Sequence, residues 1–341
     1  MAFPPSPPLA SQSDIAAQSS LYHAPTTASS HGLSFHKDRE PPLWPEEPEA
    51  TTLLNQYKGH MDHLFPFAIV PPGTTSSQLR AQRPLFWKAI MMEACHLDGA
   101  RQVALGNELL REISEGAFLR SQKTLDLLQG LQVFVSWYHY NLNSFQLTNL
   151  LYLARSICSS LGLTELQRRA EQRELEPTAD CLEHMRAYAG TYYLTTVTFT
   201  TNKKPDGMVS TPCLEACCDV LSRAKQYPTD ELLVWLVRAQ QLAQSISLSL
   251  ADRNPGTVQC PNSLPLGLLV SGYQQQIHNF KASIPLRLRD NGKHVICFAL
   301  LPLLAALDPD ANCFNQKQRS QAMSMWLRFY CTRSLCKIPQ A

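Results

Sequence analysis

The chain has 341 residues, enough for one large or two ordinary domains with a substantial core. Hydrophobic residues make up 44%, charged residues 17%, and the formal net charge is +2. The composition is globular, and a charge so close to neutral argues against a nucleic-acid footprint spread over the whole surface. The eleven cysteines include no C-x-x-C pair, which points to reduced thiols serving as small core residues rather than a disulfide or zinc framework.

The first residues, MAFPPSPPLASQSD, have neither a basic leader nor an apolar core, so no signal peptide is expected in them. Residues 1–48 are rich in Pro, Ser, Ala and Thr, and so polar a stretch cannot bury enough surface to offset its conformational entropy. A disordered tail is expected there, with order beginning at Glu49 and a helix running from it to Pro66. The apolar but proline-studded 65–73 is expected to run extended over the surface of the core. Pro84 suits a first helical turn, which predicts a helix over 83–96; Asp98-Gly99 then supplies a turn before a second helix over 100–120.

Residues 121–165 are the strongest helical pattern. Leu125, Leu128, Leu131, Val135 and Tyr138 line one helix face, and Phe145, Leu147, Leu150, Leu151, Ala154, Cys158 and Leu161 line another that stops at Gly162. Asn141, Leu142, Asn143 and Ser144 form a polar joint between them, so the two helices should pack as an antiparallel hairpin. After a charged bridge, helices are expected over 181–201, 211–226, 229–251, 271–288 and 294–307. The Thr- and Val-rich end of 181–201 has mixed propensity and is read as helix because no partner strand is visible. The longest apolar run, 295–307, is broken by Pro302 and too short to span a bilayer. The segment 311–341 has no acidic residue and five scattered bases, and reads as a divergent or truncated basic terminus.

Over 49–165 the words FPFAIVPPG, LRAQRPLFWKAIMMEACH, DGARQ, LGNELL and SQKTLDLLQGLQVFVSWYHYNLNSFQLTNLLYLARSICSSLGLTE follow one another. In this order they resemble the regulatory domain, or middle homology region, of fungal zinc-cluster transcription factors. That resemblance implies an all-α domain of stacked antiparallel helices, 49–310, acting in the nucleus without catalysis or cofactor. It also implies contact with the transcription machinery, a DNA-binding partner protein, a homo- or heterodimer partner, or a small-molecule effector.

One part of the pattern departs from the family. The DNA-reading zinc cluster needs six closely spaced thiolates around two Zn²⁺ ions, and no stretch here has that spacing. Sequence-specific DNA binding is therefore not expected of this chain itself, and no membrane role is. The alternatives are an inactive truncated paralogue, or a helical small-molecule-binding protein or enzyme. The enzyme reading is weak: terpenoid-type synthases hold Mg²⁺ with aspartate-rich clusters, whereas Asp126 and Asp180 stand apart.

No metal or catalytic residue is assigned. Cys213, Cys217 and Cys218 sit on one helix where adjacent thiols diverge; His60, Asp62 and His63 lack the zinc-hydrolase spacing; Cys95, His96 and Asp98 are helix neighbours that do not converge. The remaining candidates for effector or partner contact are Trp137, Tyr138, His139, Asn141 and Asn143. Aromatic groups with polar tips either line a pocket or anchor the hairpin.

Overall fold

Prolines and polar caps divide the chain into helices. The computed structural model describes residues 42–60, 64–162, 177–201, 207–251 and 266–291. Its elements are α1 (Glu49–His60), α2 (Ser76–Gln82), α3 (Pro84–Ala94), α4 (Gly99–Ser114), a π-turn (Glu115–Leu119), α5 (Leu125–Tyr138), a 3₁₀ turn (His139–Asn141), α6 (Ser144–Ser160), α7 (Ala179–Thr201), α8 (Pro212–Ala224), α9 (Asp230–Ala251), α10 (Leu266–Ser283) and α11 (Leu286–Asn291). Among the described residues there is no strand. The fold is all-α.

The centre is the contact between α3 and α5. Asp126, in the first turn of α5, accepts hydrogen bonds from the Phe86 and Leu85 N–H groups at 2.9 and 3.3 Å, so one helix caps the exposed donors of the other. One turn on, Gly130 faces the same backbone: a Cβ there would lie 2.9 Å from the Leu85 carbonyl, so the approach requires glycine. Arg83, the N-cap of α3, donates to both oxygens of Glu183 on α7 at 2.5 and 2.7 Å and to Gln129 on α5 at 2.5 Å. The Arg-Pro and Leu-Asp-Leu-Leu-Gln-Gly words of the sequence thus meet in one three-helix joint.

From this centre the core extends in two directions as one continuous cluster. The helices α1, α2 and α4 pack on α3; α5 packs on α6 and α7, α7 on α8 and α9, and α9 on α10. A buried ion pair fixes the second half: Arg186 of α7 donates to both carboxylate oxygens of Asp230 on α9, at 2.7 and 3.0 Å. Their side chains are 2% and 0% exposed.

Several expectations change against this structure. Within 42–48, placed in the tail by composition, Trp44 and Pro45 pack on the core: the Trp44 ring lies 6.1 Å from that of Trp87 and Pro45 is buried, while the other five residues are exposed. Residues 65–70 of the 65–73 segment do not cross the surface of the core but thread through it, whereas 71–73 are exposed. Phe67 is fully buried and stacks on Tyr193 at 5.1 Å, in space left by Gly190, where a Cβ would come within 2.6 Å of the Phe67 side chain. Tyr57 donates to the buried Ala68 carbonyl at 3.4 Å.

The predicted helix 100–120 ends in the π-turn, where Phe118 and Leu119 point outward. Phe145, assigned to the apolar face, is 81% exposed: it occupies the first turn of α6, before that helix reaches α5. The predicted 271–288 is two helices, α10 and α11, because Pro285 cannot continue the first. The tail 1–41 and the expected elements at 294–307 and 311–341 lie outside the described residues.

Candidate functional site

The hairpin joint is held by α4 as well as by its own helices. Tyr138 donates to the Val103 carbonyl at 3.2 Å and to Asn107 Oδ1 at 3.0 Å, with its ring seated over Gly106, and Tyr140 donates to Gln102 at 2.5 Å. Trp137 is buried, and its Nε1–H has no partner among the described residues. His139 is buried too. Desolvation holds its pKa down to about 4, so the ring is neutral. Its Nδ1 lies 3.1 Å from the Ser136 carbonyl and must be the protonated nitrogen, which leaves Nε2 as a buried acceptor with no partner. Two residues apart, the chain therefore holds an unpaired donor and an unpaired acceptor among the described residues.

Asn141 and Asn143 are exposed. Asn143 is the N-cap of α6: its Oδ1 accepts from the Phe145 and Gln146 N–H groups at 3.0 and 2.9 Å, while the Gln146 side chain accepts from the Asn143 N–H at 3.0 Å. Asn143→Ala is expected to cost about 0.5 to 2 kcal/mol. Chemical denaturation checks this; no change would show that the cap contributes nothing in solution.

The other residue groups do not converge on chemistry. Cys95 is buried in the core, whereas the Asp98 carboxylate caps α4 by accepting from the Arg101 N–H at 3.1 Å. The thiols of Cys213, Cys217 and Cys218 are buried on α8, and burial pushes the Cys218 pKa up to about 12. Asp62 and His63 lie outside the described residues, as does the side chain of His60.

A cleft between α7 and α9 had no counterpart in the sequence reading. It is shallow, with about 10 Å³ of space, room for about one water, between Thr196, Phe199 and Thr200 of α7, Gly207, and Gln244, Ser247 and Leu248 of α9. The Gln244 amide is spent, accepting from Tyr192 at 2.9 Å and donating to the Met208 carbonyl at 2.8 Å. Gln240, one turn earlier and fully buried, donates through Nε2 to Thr200 Oγ1 at 3.1 Å, while its Oε1 has no partner. No sequence signal marks this site, because threonines in one helix and glutamines forty residues later become a cleft only once the helices pack.

Comparison with known proteins supplies what geometry does not. Over 208 residues, 58% of the chain, it is 27% identical to the transcription factor himD of Aspergillus japonicus. Over 255 residues, 70% of the chain, it is 23% identical to the transcription factor opdL of Penicillium oxalicum. Over 257 residues, 68% of the chain, it is 22% identical to the transcription factor pbcR of Emericella nidulans. The chain is a distant relative of fungal transcription factors.

It spans 34% to 45% of the length of these factors. No family profile and no solved structure matches it. The similarity to transcription factors, at 68% to 70% of the chain, is longer than the 49–165 stretch and so reaches beyond the strongest sequence words.

Proposed function

We propose that this chain is the regulatory part of a fungal-type transcriptional regulator, acting in the nucleus and without catalysis. The observation that carries the reading is the similarity to named transcription factors over 58% to 70% of the chain. The all-α architecture, with one core and long exposed helix faces, suits a domain that works by contact. Among the described residues no helix is long and apolar enough to cross a membrane.

The stretch is proposed to act by contact with the transcription machinery or a DNA-binding partner protein, or as a homo- or heterodimer. The hairpin joint is the contact proposed for a partner or effector. Trp137 and His139 hold an unpaired donor and acceptor there, and Asn141 and Asn143 stand at the surface beside them.

Fusion of the whole chain to an unrelated DNA-binding domain tests this reading. Reporter output is expected to rise or fall relative to that DNA-binding domain alone. A well-expressed fusion that leaves the reporter unchanged rejects a regulatory role.

A further inference from the structure

We propose that the exposed loop 118–123 docks a short acidic and apolar peptide segment of another protein. The loop leaves the π-turn after α4 and leads into α5, and it reads Phe-Leu-Arg-Ser-Gln-Lys. Phe118 is 69% exposed and its neighbour Leu119 is 81% exposed. Apolar residues exposed singly need no explanation, whereas two side by side form a patch that a partner can cover.

The loop is shaped rather than slack. The Arg120 N–H donates to the Glu115 carbonyl at 3.0 Å and the Gln122 N–H to the Gly116 carbonyl at 2.8 Å, which braces both ends of the turn. Ser121 has a φ of 50°, a left-handed conformation uncommon outside glycine. Such backbone persists only where its surroundings fix it, and π-turns and left-handed residues both gather at binding sites. A surface already in shape gives up less conformational freedom when a partner arrives.

Charge selects the partner. Arg120 and Lys123 are exposed and make no ion pair among the described residues. The acids nearby are committed: Glu108 and Glu115 to Arg111, Glu112 to Lys88, and Asp126 to the N–H groups of α3. Two unpaired cations beside an apolar pair complement carboxylates beside apolar side chains. An anionic membrane is the poorer match, because lipid-binding stretches gather about four to eight bases and this loop has two.

The site stands apart from the regulatory reading, since purified full-length protein tests it without a reporter. The probe is a fluorescent synthetic peptide of aspartate, leucine and phenylalanine, followed by anisotropy. Saturable binding that weakens as salt rises is expected, with about tenfold weaker binding when serine replaces the apolar residues and none when lysine replaces aspartate. Phe118→Ser with Leu119→Ser is expected to weaken binding about tenfold, and Arg120→Glu with Lys123→Glu to transfer the preference to the lysine peptide. Phe145→Ser, on an equally exposed ring of α6, should change nothing. All these side chains are exposed, and circular dichroism establishes that each variant is folded. No saturation, equal binding of the lysine peptide, unchanged binding by either double variant, loss on Phe145→Ser, or binding to phosphatidylserine vesicles in place of the peptide would each overturn the proposal.

Discussion

Asp230→Ala is expected to cost about 3 to 5 kcal/mol of folding stability, the largest effect of any single replacement considered for this chain. The reason is what it leaves behind. The Arg186 guanidinium is 2% exposed, and with the carboxylate gone it retains only Gln226 Oε1 at 2.9 Å and the face of the Tyr227 ring at 4.6 Å. Neither neutralises a buried cation. Asp230 also accepts from the Tyr227 N–H at 2.9 Å, so the turn entering α9 loses a bond at the same time.

The pair is expected to matter through its breakage more than through its presence. Replacing both partners with apolar residues of similar volume, Arg186→Met with Asp230→Leu, should recover most of the loss, because two desolvated charges disappear together. Urea unfolding of the two variants measures this. A loss below about 1 kcal/mol for Asp230→Ala would mean that water reaches the pair.

The ion pair also shows where the sequence was legible and where it was not. Helices were readable wherever a cap, a proline and an apolar period agreed: Thr124 with Leu125 to Tyr138, Arg83-Pro84 with the run to Ala94, Thr211-Pro212 before α8. Even the ambiguous Thr and Val run is helix, since tertiary contact with α9 outweighs β-branched propensity. Long-range partnerships were not readable. Nothing local says that Arg186 meets Asp230, that Gly190 makes room for Phe67, or that Gln240 donates to Thr200.

Burial of the proline-studded 65–70 segment and exposure of Phe145 were not readable for the same reason: periodicity reports which residues share a face, not what covers that face. The joint was legible as a joint through its two asparagines and their capping chemistry. Its buried, unpaired Trp137 Nε1 and His139 Nε2 were not, because orphaned atoms are visible only in three dimensions.

A second large effect concerns Glu93, whose carboxyl is 1% exposed in the core at the end of α3. Burial pushes its pKa up to about 8 from an ordinary value of 4.5, and its Oε1 has no partner. The facing titratable group is His96, whose Nδ1 stands 3.8 Å from that oxygen. Below pH 4.5 Glu93 is protonated in both folded and unfolded chains and costs nothing. Above it the unfolded chain ionises while the folded chain does not, so stability falls as pH rises, until the folded carboxyl ionises near pH 8.

The slope is about 1.4 kcal/mol per pH unit inside that window, so several kcal/mol are at stake by pH 8. Glu93→Gln removes the titration and keeps the shape. The variant is therefore expected to gain stability over the parent progressively between roughly pH 5 and pH 8 and to gain little further beyond it. His139 titrates in the opposite sense: its lowered pKa makes the fold lose stability as pH falls from its ordinary 6.5 toward 4. Since parent and variant share His139, their difference isolates Glu93. Denaturation midpoints at pH 5, 6.5 and 8 give the comparison, and a difference that does not grow with pH would show that the folded carboxyl is already ionised and paired.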